Sequence, residues 1–194
     1  SLSELSSCRL FPPSFISSRV DKQRQKRLHV TNILIVFIAQ CLFFILPVLA
    51  IVLFFWLPRP KRWQYAVALA VGGITAFCLA KLAGHFFFDP RPFVDGHVAA
   101  LFPHTPDNGF PSDHTTFATT FAFVSLFYAR KWRLVMLPIA VAIGAARVFA
   151  HVHSWIDIIG GIAVGLIASG IAVTVTVYII KQLSARHSKG EVHA

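Results

Sequence analysis

The sequence predicts an all-α, polytopic membrane bundle of about five to six helices, and three observations carry that reading. Hydrophobic residues make up 56% of the 194-residue chain and charged ones only 13%, which with a mean hydropathy of +0.66 is too apolar for an ordinary soluble domain. Five stretches approach the ~17–25 residues a helix needs to cross a roughly 30 Å hydrocarbon layer: about 31–57, 63–88, 114–129, 134–152 and 156–180. Strand alternation is absent, and Gly and Ala recur inside the apolar stretches, as close helix packing in lipid requires.

Residues 1–30 contain the basic run "RVDKQRQKRLHV", which cannot span and reads as an interfacial or disordered N-terminal segment. The first stretch, 31–57, is long and holds Pro47, which predicts a kink or tilt. The second, 63–88, carries "VGGITAFCLA"; the third, 114–129, is short; the fourth, 134–152, ends close to an arginine; and the fifth, 156–180, carries "IIGGIAVGLIASG". The membrane domain is therefore placed at 31–180, followed by a tail at 181–194.

The net charge of +10 raises the question of nucleic acid, but Lys and Arg sit in short connections beside apolar stretches and not on one soluble face, so no nucleic-acid partner is expected. Arg59, Lys61 and Arg62 follow the first stretch, Arg130, Lys131 and Arg133 the third, and Lys181, Arg186 and Lys189 the fifth. The positive-inside rule makes these three regions cytoplasmic, the 181–194 tail included. Five crossings then put the basic N-terminus outside, against the same rule. Cys8, Cys41 and Cys78 have no paired spacing, so neither a disulfide framework nor a zinc site is indicated.

That topology sends the connections 89–113 and 153–155 to the extracytoplasmic face, where the unusual residues gather. They are Arg91, Ser112, His114, Arg147, His153 and Asp157. Each has a plain reading. Arg91 suits a snorkelling interfacial arginine, Ser112 a helix N-cap, and Ser154 with Asp157 a capping box. Arg147 resists such a reading, because an ionisable residue inside a span is a functional candidate by default. Together, two arginines supply bidentate forks for a phosphoryl group, and a serine at a helix start adds a hydroxyl beside free N–H groups. Two histidines offer a nitrogen to attack and a proton for the departing oxygen. Asp157, four residues after His153, is placed to fix that ring's tautomer.

These residues resemble the type 2 phosphatidic acid phosphatases, whose pattern is K-x-x-x-x-x-x-R-P, then P-S-G-H, then S-R-x-x-x-x-x-H-x-x-x-D. The chain has "RP" at Arg91 and Pro92, "PSDH" at 111–114, and "ARVFAHVHSWID" from Ala146 to Asp157. "FDPRPFV" and "FPSDHTT" look most like the bacterial undecaprenyl-diphosphatases of the bacitracin-resistance type. The resemblance implies a multi-pass protein of the bacterial plasma membrane that hydrolyses a polyprenyl diphosphate, undecaprenyl diphosphate, to undecaprenyl phosphate and inorganic phosphate, recycling the cell-wall lipid carrier among membrane lipids. It implies His153 as nucleophile, Asp157 as its orienter, His114 as general acid, and Arg91, Ser112 and Arg147 as phosphoryl ligands.

Three positions depart from the pattern. Gly84 stands where the lysine is expected, with Lys81 one turn earlier; Asp113 replaces the glycine of P-S-G-H, and Ala146 the serine of the third motif. Lys81 and Asp113 remain candidate substrate-binding residues, Asp113 through its backbone N–H. His97 and His104 share the outer loop and are placed where they could touch substrate, although loop histidines are usually just solvated. No cofactor is expected. No metal is expected either, since only eight acidic residues exist and few of them, Asp89, Asp95, Asp113 and Asp157 among these, fall near the site, too few for a two-metal centre. Two alternatives stand beside this reading. One is a broader lipid phosphatase acting on phosphatidate or phosphatidylglycerophosphate, and the other a haem or metal protein using His114, His151 and His153.

Overall fold

A computed structural model describes residues 13–96 and 98–191, so Cys8, His97 and the first part of the basic segment lie outside the described residues. Six α-helices follow in order: α1 Pro13–Cys41, α2 Ile45–Trp56, α3 Arg59–Phe86, α4 Asp113–Tyr128, α5 Arg133–Phe149 and α6 Trp155–Glu191. Among the described residues the regular elements are all helical, with one isolated bridge between Pro90 and Asn108 in the loop between α3 and α4. By contacts the chain divides after Leu34. In the first unit the basic stretch is helical from Pro13, and Thr31 Oγ1 donates to the Arg27 carbonyl at 2.9 Å.

The second unit, from Ile35, holds the site. Its first helical stretch is interrupted by a 3₁₀ turn at Leu42–Phe44, just ahead of Pro47. Proline lacks the N–H that would bond the carbonyl four residues earlier and its ring clashes there, so the local backbone tightens where Pro47 would otherwise collide with Phe43. Among the described residues, four helical stretches are long and apolar enough to cross a membrane: Lys22–Trp56, Arg59–Phe86, Arg130–Phe149 and Trp155–Ala185. The third expected stretch, 114–129, is α4, which has 16 residues, about 24 Å at 1.5 Å per residue.

Short α4 is the centre of the unit, packed against α2, α3, α5 and α6. This position explains its polar face. Thr115, Thr116, Thr119, Thr120 and Ser125 are all buried, and small side chains let backbones approach closely in lipid. Thr120 Oγ1 returns its proton to the Thr116 carbonyl at 2.8 Å, while Tyr65 Oη and Ser125 Oγ share a bond of 2.7 Å. Facing them on α6 are Gly161 and Gly165, where a Cβ would stand 2.9 Å from the Ser112 carbonyl and 2.7 Å from that of Thr116. Any side chain there would push α6 away from the start of α4, which carries Asp113 and His114.

Around this centre, lipid-facing surfaces are apolar: Phe44, Phe55, Trp63, Ile74, Phe86, Leu134, Val141 and Ile159 are all exposed. A cluster of Ala39, Ala146, Ala150 and Val152, with Phe93, Leu101 and Phe102 against it, fastens the loop between α3 and α4 to the turn between α5 and α6. The ends of three helices and one loop thereby meet at one end of the unit.

Candidate active site

The loop from Phe87 to Ser112 is held shut by one residue. Asn108 Nδ2 donates to the carbonyls of Gly84 at 2.8 Å and Phe87 at 2.9 Å, and its Oδ1 accepts the N–H groups of Asp89 and Phe110, each at 3.0 Å. Gly109 N–H adds a bond to the Asp89 carbonyl at 2.9 Å. Both ends of the loop are thus tied to the last turn of α3. A Cβ on Gly84 would stand 2.8 Å from the Phe110 carbonyl, so the position where the resemblance expects lysine has no room for a side chain. Lys81, one turn earlier on the same face, lines the cavity instead.

Arg91 leaves this loop and turns inward, 6% exposed. Its Nε donates to Asp107 Oδ1 at 2.8 Å and its Nη1 to the Val152 carbonyl at 2.8 Å, with the same Nη1 3.2 Å from His153 Nε2. Arg147, 3% exposed near the end of α5, brings Nη2 to 3.4 Å from His153 Nε2 and 2.7 Å from His104 Nε2. Its Nε has no hydrogen-bond partner, and among the described residues no carboxylate forms an ion pair with it. A buried guanidinium left this way is costly unless an anion completes it.

His153 is oriented from its other nitrogen. Nδ1–H donates to Asp157 Oδ2 at 3.0 Å, which leaves Nε2 as the unprotonated atom that faces both guanidinium groups. Asp157 is fully buried; its Oδ2 also accepts the Ser154 N–H at 2.9 Å, and Ser154 Oγ accepts the Asp157 N–H at 3.3 Å. The capping box is therefore real, and the aspartate that caps α6 is the one that orients the histidine. A further carboxylate extends the chain: Ser154 Oγ–H donates to Asp89 Oδ2 at 2.6 Å. Burial first, then the charges of Arg147 and Arg91, hold the His153 imidazole well below its ordinary proton affinity. The neutral form is the resting one.

His114, on the first turn of α4, lines the same cavity and packs against Phe43 at 4.9 Å between ring centroids. Beside it, Asp113 Oδ2 stands 3.5 Å from Lys81 Nζ, in a pair whose side chains are 53% and 60% exposed. Ser112 occupies the N-cap of α4 but makes no side-chain cap. It is fully buried, accepts from Thr115 Oγ1 at 3.2 Å, and is not among the residues lining the cavity.

His104 differs from its expected solvated place. It is half-buried against Arg147 and lines the cavity. Burial, then Arg91 and Arg147, lower its proton affinity, so that it can accept the Arg147 N–H. In Asp107, burial raises the carboxyl, but the Arg91 hydrogen bond and charge outweigh it and hold the group below the usual carboxylate range. His151 faces the Ala99 carbonyl at 3.0 Å and does not line the cavity with His114 and His153. The three histidines of the haem or metal alternative therefore do not share one centre. The cavity measures about 450 Å³, within the ~300–1,000 Å³ of small-molecule sites.

Asn108, Asp107 and His85 were missed from the sequence, and Asp89 was noticed only for its charge. "DNGF" signals a turn, but nothing local reports that Asn108 reaches back to Gly84, 24 residues earlier. Arg91, Arg147, His153, Asp157 and His114 are brought together as expected.

A buried pair of arginines around a carboxylate-oriented histidine, set at the end of an apolar helical bundle, defines a multi-pass membrane phosphatase. Comparison with known proteins names the family: the PAP2 superfamily profile matches residues 61–181, and the chain belongs to that superfamily. YbjG of Escherichia coli is 35% identical over 135 residues, covering 69% of this chain and 68% of that protein. Undecaprenyl-diphosphatase BcrC of Bacillus subtilis is 34% identical over 120 residues, covering 60% of this chain and 61% of its own. Among solved structures, LpxE of Aquifex aeolicus is similar with a TM-score of 0.63 at 26% identity, covering 75% of this chain and 86% of that one. A PAP2-type phosphatidylglycerolphosphate phosphatase of Bacillus subtilis shares the fold with a TM-score of 0.56 at 24% identity, over 73% and 74% of the two chains.

Proposed function

We propose that this protein hydrolyses undecaprenyl diphosphate to undecaprenyl phosphate and inorganic phosphate through a phosphohistidine on His153, at the extracytoplasmic face of a bacterial plasma membrane. The observation that carries the proposal is the environment of His153, with Nδ1 held by Asp157 and Nε2 facing Arg91 and Arg147. The name of the Bacillus subtilis relative supports the substrate. Lys and Arg at Arg59–Arg62 and Arg130–Arg133 support the orientation.

In this reading the terminal phosphoryl group replaces the empty space between the two guanidinium groups, and its oxygens complete Arg147 Nε. The Nε2 lone pair of His153 forms the P–N bond as the bridging P–O bond breaks in line. Burial first, then the charge of Arg147, lower the proton affinity of His114; the phosphate anion, once bound beside it, offsets both, so that His114 acts as imidazolium and delivers its proton to the bridging oxygen of the departing lipid phosphate. Neutral His114 then takes a proton from water as the water oxygen attacks phosphorus and the P–N bond breaks, its electron pair returning to His153 Nε2. Inorganic phosphate leaves, His153 is regenerated, and His114 is again protonated. No metal enters these steps, so turnover should persist in EDTA and fall with vanadate, whose five-coordinate geometry imitates the in-line transfer.

Phosphate release by the purified protein tests the substrate. Undecaprenyl diphosphate should be cleaved with kcat/KM well above that for phosphatidate or phosphatidylglycerophosphate, and equal values would favour the broader lipid phosphatase. Orientation is tested by single cysteines in a cysteine-free background. Asp95→Cys should react with an impermeant thiol reagent in intact cells and Lys131→Cys should not, both positions being exposed.

A further inference from the structure

The cavity has two unlike ends. At the buried end stand Arg91, Arg147 and His153; at the open end Lys81 and His85 occupy positions i and i+4 of one face of α3, with Asp113 across from Lys81. Two guanidinium groups suffice for one phosphoryl group, and the open end contributes a further cation and a further N–H donor that such a group does not use.

We propose that Lys81 and His85 form a subsite for the second phosphate of the substrate, the one that stays with the lipid, and that this subsite makes the protein prefer diphosphates to monophosphates. The inference rests on the phosphohistidine reading and follows from in-line geometry. With His153 attacking from the buried end, the bridging oxygen lies on the opposite side of phosphorus, toward His114. The phosphate attached to that oxygen therefore falls beside the first turn of α4, where Asp113 holds Lys81 Nζ at 3.5 Å. In a monophosphate ester the same place is taken by an uncharged alkyl carbon.

The exposure of this end suits its task. The Lys81–Asp113 pair is long and largely solvated, so it contributes little by itself, and the ammonium exchanges a carboxylate for a phosphate at small cost. Gly84 keeps the wall between the two ends bare, because the Phe110 carbonyl already lies within 2.8 Å of where its Cβ would be. Lysine at 84 would block this face, whereas lysine at 81 borders it. His85 adds a ring N–H on the same rim.

The test compares farnesyl diphosphate with farnesyl monophosphate, which share a tail and differ by one phosphate. The ratio of their kcat/KM values should fall about tenfold in Lys81→Met, the scale of one hydrogen bond to a charged group. It should recover in Lys81→Arg and fall further in Lys81→Met/His85→Gln. A ratio unchanged in Lys81→Met while the wild-type protein cleaves the diphosphate overturns the subsite alone. A proportional loss on both substrates also overturns it, since that is what a structural role for Lys81 gives. If the wild-type protein cleaves farnesyl monophosphate but neither farnesyl nor undecaprenyl diphosphate, the diphosphate reading falls and the subsite with it.

Discussion

The buried and open ends of the cavity hold the same kinds of charge and use them differently. Arg91 and Arg147 are 6% and 3% exposed and fixed by backbone carbonyls, histidine nitrogens and, for Arg91, the Asp107 carboxylate at 2.8 Å, whereas Lys81 is mostly solvated and held by a single carboxylate at 3.5 Å. Charges fixed in a low-dielectric pocket need no reorganisation when the transition state forms, which is where electrostatic catalysis gains most. A mobile cation in water gives little rate but can still distinguish one anion from two. The deep end is suited to the chemistry and the rim to the choice of substrate.

The largest expected break in this comparison is at the deep end. His153→Ala should abolish turnover on every substrate, activated or not, because no covalent intermediate can form. A variant still active on p-nitrophenyl phosphate would remove His153 from the role of nucleophile. His114→Ala, between the ends, should cost roughly 10²–10⁴-fold in kcat/KM, which reports the steps up to departure of the leaving group and not the later attack by water, on a lipid monophosphate ester, the usual range for general acid catalysis. It should cost much less on p-nitrophenyl phosphate and on a lipid diphosphate, whose leaving groups are weak bases. Equal losses on all three would show that His114 is not the proton donor.

Asp89 sharpens the comparison from outside the cavity. Its side chain bonds Ser154 and Asp157, and through Asp157 it reaches His153, so Asp89→Ala should lower kcat by about 10–100-fold, as removal of outer-shell partners does in metal sites. KM should stay nearly constant, and Asp89→Asn, which keeps the acceptor oxygen, should restore most of the rate. A matching rise in KM would mean that the whole loop had moved. The smallest effect concerns salt. At about 1 M the screening length is near 3 Å, so the preference for diphosphate over monophosphate should shrink while the monophosphate rate changes little. A preference indifferent to salt would place its origin at the buried end.

Much of this site was legible before any coordinate. The spacing of Arg147, His153 and Asp157 is local, one turn and the start of a helix, and sequence reports such geometry directly. The apolar stretches reported the helices for the same reason, although α4 at 16 residues is shorter than a span and its threonines belong to a helix–helix contact with Gly161 and Gly165. What stayed hidden depends on distant pairs. Gly84 looked like a lost lysine until the Phe110 carbonyl was found against it, and Asn108 looked like a turn residue although it fastens the loop to α3. His104 read as solvated because its partner, Arg147, is 43 residues away.

The central claim is that phosphorus passes through a bond to His153. Brief reaction of the purified protein with radiolabelled undecaprenyl diphosphate, followed by denaturation in alkali, tests it directly. The account predicts a label on the wild-type chain that survives base, is lost in acid, maps to the peptide containing His153, and is absent from His153→Ala. Label that is lost in base and survives acid, or equal label on His153→Ala, would contradict it.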